Sequence, residues 1–256
     1  ILSAVFGGMA VGQLIAGPVS DAMGRKPLLL WCLLVYLLGA VVCLFANNMG
    51  TMLLGRVVQG LGAAGPVVSC ISIVRDKFHG REMAKVMSLV MMIFIMAPVL
   101  APALGQGLML VAHWRIIFGF FVLYGVAVGA WVLMSLEETL PLAKRIPWRI
   151  TTILQAAKEV LGHQQTRSYA IAMGLVFGSF IGYLVSTQQI FQVQYQIGNV
   201  FVVYFGLQAL GFGVSSLLNS RLVERLGMRY LVIRGLVAVI GTGVLVAALS
   251  AFTVVP

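Results

Sequence analysis

The chain has 256 residues, of which 61% are hydrophobic and only 9% charged, with 29 glycines and a net charge of +10. A soluble domain is about a quarter charged, so a water-facing globular surface is excluded. Nucleic-acid binding is excluded too, because the basic residues lie in or beside gaps between apolar stretches and not along one polar face.

Eight apolar runs follow one another: Ile1–Ser20, Leu28–Ala46, Met52–Val74, Val86–Ala112, Ile116–Leu136, Ser168–Phe191, Val200–Leu218 and Leu231–Val254. Each is close to the ~20 residues that cross a bilayer as a helix. Helices are expected because lipid cannot satisfy exposed backbone, and barrel strands would alternate over about ten residues. Fifteen of the 17 basic residues fall in alternate gaps or their flanks, around Arg25–Lys26, Arg75–Lys85, Lys144–Arg167 and Arg221–Arg234. The positive-inside rule makes those gaps cytoplasmic. Ile1 opens inside an apolar run without a signal-peptide pattern, and Pro256 follows directly on another run, so the expectation is an interior piece of a longer chain.

Between the first two runs stands Gly17-Pro18-Val19-Ser20-Asp21-Ala22-Met23-Gly24-Arg25-Lys26, which holds the first charges of the chain. Glycine at 17 and 24 lets helices approach and the chain turn. Asp21 is placed to pair with Arg25 or to sit at the positive N-terminus of a neighbouring helix. The simpler alternative is that Arg25 and Lys26 only set orientation.

In the third run, Arg56 is the one basic residue inside a span and away from the cytoplasmic side. A central arginine costs about 2.5–3.5 kcal/mol on insertion scales, so it should meet a watery cavity or a partner. Gln59 and Gly60 share its helix face at i+3 and i+4. Snorkelling to the outer headgroups is the competing reading.

In the fourth run, Pro98, Pro102 and Gly105 point to a bent or pliable helix, since each proline removes a backbone hydrogen bond. Whether that bend moves or is static stays open. Cys32, Cys43 and Cys70 fall within spans as small apolar residues, and no spacing suggests a metal site or a disulfide framework. No nucleophile–base pairing or Walker loop is present, and the chain reads as a non-enzyme. From Leu136 to Arg167 runs the longest gap. There Ile150, Ile153, Leu154, Ala157, Val160 and Leu161 recur at helical spacing beside Trp148, as in an amphipathic helix on the membrane surface. A plain linker is the alternative.

A shift of 203 residues brings Asp21 onto Glu224, Gly24 onto Gly227 and Lys26 onto Arg229, although Gly17 meets Ser220 and Arg25 meets Met228. Such a repeat implies parallel halves related by an axis along the membrane normal.

These residues carry a family resemblance. Gly17-x-x-x-Asp21-x-x-Gly24-Arg25-Lys26 resembles the cytoplasmic signature of the major facilitator superfamily, found between its second and third helices. Arg56-x-x-Gln59-Gly60-x-Gly62-Ala63-Ala64 is similar to the motif of that family's fourth helix. Ala97-Pro98-x-x-Ala101-Pro102-x-x-Gly105 is similar to the fifth-helix motif of its drug:proton antiporters, with Gln106 where a glycine is usual. With Trp114-Arg115-x-Ile117-Phe118 and Asn219–Arg225, the likeness is to the bicyclomycin-resistance-like (Bcr/CflA) multidrug efflux group.

The resemblance implies an all-α polytopic membrane protein, a helix bundle of two pseudo-symmetric halves, with this chain covering helices two to nine of twelve. Residues 1–136 would form five spans of the N-terminal half, residues 137–167 a cytoplasmic loop, and residues 168–256 three spans of the C-terminal half. It implies a secondary transporter of a bacterial inner membrane, exporting small hydrophobic compounds in exchange for protons. Gly17, Asp21, Gly24, Arg25, Lys26, Glu224, Gly227 and Arg229 would latch its conformations. Arg56, Gln59 and Gly60 would serve coupling, and Pro98, Pro102 and Gly105 the antiporter helix.

Cavity candidates are Gln13, Tyr183, Gln188, Tyr204 and Gln208; Tyr36 and Tyr124 are discounted because their helices lie outside the cavity in the resembled fold. The expected partners are membrane lipid, small-molecule substrates and protons, with no cofactor, metal or nucleic acid, and the expected state is a monomer. A metabolite facilitator or symporter of the same fold, or a non-transporting membrane protein, remains an alternative. All seven acidic residues are in or beside cytoplasmic gaps, so an embedded proton carrier is expected outside this chain.

Overall fold

The computed structural model describes residues 1–111, 113–147, 151, 158, 161–191, 195 and 226–252, with scattered positions from 203 to 222. Two compact units are present, Ile1–Phe201 and Val202–Pro256.

The first unit opens with five helices: α1 (Leu2–Met23), α2 (Arg25–Leu44), α3 (Met49–Lys77), α4 (Gly80–Val111) and α5 (Arg115–Ser135). A short 3-10 turn, Leu142–Lys144, and the helix Gln164–Gln189 follow. In the second unit the helix Met228–Phe252 is described. No strand occurs among the described residues. Among the described residues, five helical stretches are long and apolar enough to span a membrane, namely α1, α2, α3, α5 and Arg229–Ala251. The expected span Val200–Leu218 and the amphipathic segment around Trp148 and Ile150–Leu161 lie largely outside the described residues.

Helices outrun the apolar runs wherever polar ends continue the hydrogen-bond ladder into water. α3 starts at an Asn48 cap whose Oδ1 accepts from the Thr51 N–H at 2.8 Å, and ends with Arg75 and Lys77 in its last turn, where cations complement the helix dipole. Between α1 and α2 the charged gap shrinks to one residue, Gly24, with φ 106°. A side chain would be strained there, whereas glycine turns the chain freely.

α3 is the central helix, packed on both α1 and α2, while α2 also packs on α5. Glycines permit this close approach. A Cβ at Gly8 or Gly12 of α1 would strike the Val57 or Leu61 backbone of α3, and one at Gly60 would strike the α1 backbone at Val5. On the other side, Gly39, Gly55, Gly62 and Gly65 let α2 and α3 meet with Cys32, Tyr36 and Cys43 between them. In lipid such van der Waals contact replaces the hydrophobic drive between helices. Large apolar side chains face outward instead, with Leu110 88% and Met134 86% exposed, as a lipid-immersed surface requires.

Candidate functional site: a charge knot and a half-satisfied arginine

Where α1 ends, α2 begins and α3 ends, Arg25 is buried and its guanidinium is engaged on three sides. Nη1 donates to Asp21 Oδ1 at 2.6 Å and to Ser20 Oγ at 2.7 Å, both on α1. Nε donates to Asp76 Oδ2 at 3.0 Å, at the end of α3. Asp76 also accepts from the Thr139 hydroxyl at 3.3 Å. Arg25 therefore ties three elements together through charge-assisted bonds, the strong kind in a partly dry setting.

The backbone of Arg25 is held as well. Glu138, beyond the end of α5, accepts from the Arg25 N–H at 3.0 Å and the Lys26 N–H at 3.3 Å. Its carboxylate thus takes the place of a side-chain cap at the α2 N-terminus, where free N–H groups and the helix dipole favour negative charge. A Cβ at Gly24 would collide with that carboxylate and with the Arg145 guanidinium. Gly24 thus answers two demands, a positive φ and room for Glu138. Lys26 reaches across to α5, its Nζ donating to the Leu133 carbonyl at 3.1 Å.

The shifted copy repeats the backbone of this turn. Gly227 has φ 78°, and its carbonyl accepts from the Leu231 N–H at 3.4 Å, just as the Gly24 carbonyl accepts from the Leu28 N–H at 3.4 Å. Arg229 follows in the helix, exposed, while Glu224 lies outside the described residues.

Arg56 sits in a different setting, half-buried on α3 about two turns from its outer end. Its Nη1 donates to Gln59 Oε1 at 3.1 Å, and its guanidinium lies over the buried Phe118 ring of α5, 4.6 Å from the centroid. Its buried Nε has no hydrogen-bond partner among the described residues. Tyr36 and Cys43 of α2 are the other polar groups about it, with the Tyr36 phenol in hydrogen-bonding reach of Gln59. Among the described residues no carboxylate pairs with this cation. Gly60, next to Gln59 in sequence, faces α1 and serves packing.

Phe118 is held by its own motif. Trp114 and Phe121 meet it edge-on, with centroids 6.0 and 6.1 Å away. Arg115 stacks over Trp114 and donates to the Ala46 carbonyl and Asn47 Oδ1, each at 3.1 Å, fastening α5 to the end of α2.

The remaining expected residues are dispersed. Gly17 and Gly105 face open space. α4 runs on through positions 98 and 102, whose proline rings lie outside the described side chains. Gln13 is half-buried on α1, and Tyr183 and Tyr204 are exposed; Gln208 and the Gln188 side chain lie outside the described set. Asp76, Glu138 and Phe118 were not singled out from sequence as partners. Their signal was present only as acids at cytoplasmic span ends and an aromatic three residues after a Trp-Arg pair.

The comparisons with known proteins agree with this architecture. In curated proteins, 34% identity over 223 residues links the chain to the Uncharacterized MFS-type transporter YdgK of Bacillus subtilis (strain 168), covering 86% of this chain and 56% of that protein. The Bicyclomycin resistance protein homolog of Haemophilus influenzae is 34% identical over 227 residues, again 86% of this chain and 56% of that one. The Multidrug resistance protein MdtL of Escherichia coli O81 (strain ED1a) is 40% identical over 141 residues, 55% of this chain and 36% of that protein. The chain thus spans about half the length of the curated relatives it matches over most of its own length. Among solved structures, the human organic anion transporter MFSD10 (TETRAN) is similar in fold, with a TM-score of 0.61 at 20% identity over 81% of this chain and 54% of that chain. The sequence model described as Major Facilitator Superfamily matches residues 1–255. With that match added to the helix bundle and its cytoplasmic signature, this multi-pass membrane chain belongs to the major facilitator superfamily.

Proposed function

We propose that the protein exports small hydrophobic compounds from a bacterial cell, exchanging them for protons by alternating access across the inner membrane. The observation that carries this reading is Arg56: a cation within a span whose partners among the described residues are neutral, with no partner there for its Nε. A guanidinium so placed is costly unless a counter-charge visits it, which suits a group that exchanges partners during a cycle. No acidic residue of this chain lies within an apolar run, so the counter-charge comes from a carboxylate elsewhere in the protein or from the substrate. The relatives named for bicyclomycin and multidrug resistance support the choice of substrate class.

The test is efflux of a hydrophobic dye from cells expressing the full-length protein, with and without a proton gradient. The proposal expects efflux that collapses when the gradient is dissipated. Flux that persists without the gradient contradicts antiport and favours a facilitator.

A further inference from the structure

The segment just after α5 makes contacts that the family assignment does not use. Glu138 accepts from two α2 backbone N–H groups and from the Leu140 N–H of its own turn at 2.9 Å. The neighbouring Thr139 hydroxyl reaches Asp76, and Leu140 is buried. Past the 3-10 turn, the Ile146 N–H donates to the Asp21 carbonyl at 3.0 Å, and Arg145 lies 3.8 Å from Glu138. Residues 138–146 therefore cross the ends of α1, α2 and α3 and fasten to each.

We propose that Glu138 is a positioning residue for Arg25, and that Glu138–Ile146 is a clasp that holds the ends of α1, α2 and α3 in the arrangement transport requires. The inference concerns the wiring of this half and rests on family membership, not on the identity of the exported compound. Three features favour a clasp over inert packing. The carboxylate binds the first turn of α2, so it sets where the Arg25 guanidinium enters the knot. Gly24 lacks the Cβ that would expel it. The Arg145–Glu138 pair is long and partly exposed, with both side chains at 26%, and the buried Arg145 Nε has no partner among the described residues, so this pair is the weakest joint of the clasp.

Hydrogen exchange on the full-length protein in lipid nanodiscs, read by mass spectrometry, tests this without any substrate. Glu138→Ala is expected to speed exchange about tenfold at Arg25, Lys26 and residues 140–146, the scale for losing a charge-assisted bond, while the α2–α3 interior around Gly39 and Gln59 is unchanged. Glu138→Gln keeps the volume and one acceptor oxygen, so its exchange falls between the two. In transport, Glu138→Ala lowers turnover and leaves KM within about twofold, as loss of a positioning group outside the substrate cavity should. Unchanged exchange at Arg25, Lys26 and Ile146 overturns the proposal. So does faster exchange spread equally through α1–α3, since that is general loosening. A loss of proton dependence with the local exchange pattern intact would count against the antiport reading and leave the clasp standing.

Discussion

Arg25 and Arg56 are both drawn into the same small bundle, and their surroundings are opposite. Arg25 is buried among two carboxylates and a serine hydroxyl, with a third carboxylate seating its backbone. Among the described residues Arg56 has one amide oxygen and one aromatic face, and no partner for its Nε. A buried guanidinium bonded to two carboxylates and a hydroxyl is hard to pull free and holds elements in one arrangement. A guanidinium offered only neutral partners keeps capacity for another charge. One end of the bundle is thus built to stay together, and a cation nearer the other is left able to change partner.

Substitutions that empty each environment separate the two. Arg25→Ala should have the largest effect on stability, about 3 kcal/mol, because it leaves Asp76 and Asp21 facing each other unpaired; the water around Asp21 holds the value at the low end of the range. Unfolding in detergent measures it. Gly24→Ala follows at about 2–3 kcal/mol, combining an unfavourable φ with displacement of the Glu138 carboxylate. Gly227→Ala, at the matching turn of the second unit, meets open space and should cost about 1 kcal/mol from its φ alone. Equal losses at the two glycines would show that Glu138 contributes nothing at Gly24. Phe118→Leu removes the ring beneath Arg56 and should cost about 1 kcal/mol, with a matching fall in efflux if the ring orients the guanidinium.

Most of the bundle was legible because apolar runs of bilayer length leave the backbone one solution. Its ends were not, since polar turns such as Asn48-Met49-Gly50-Thr51 extend a helix without hydrophobic pattern. The Arg56–Gln59 pair could be read from i+3 spacing within α3, and Asp21–Arg25 from its nearness in sequence across the Gly24 turn. Asp76 and Glu138 lie 51 and 113 residues from Arg25, and only the packed bundle brings them there. Glycine stripes divide in the same way. Gly8 and Gly12 seat α1 on α3, whereas the longer stripe Gly174, Gly178 and Gly182 faces open space. Spacing shows where a helix can be approached, and the fold decides whether anything approaches.

The contrast between the arginines is tested most directly by measuring two variants of the full-length protein side by side, Arg25→Gln and Arg56→Gln, for thermal stability and for gradient-driven efflux. Arg25→Gln should lower stability by about 2–3 kcal/mol. Arg56→Gln, with no ion pair to lose, should stay within about 1 kcal/mol of the parent protein while gradient-driven efflux is lost. An Arg56→Gln protein that pumps normally, or one that unfolds as readily as Arg25→Gln, would contradict the account.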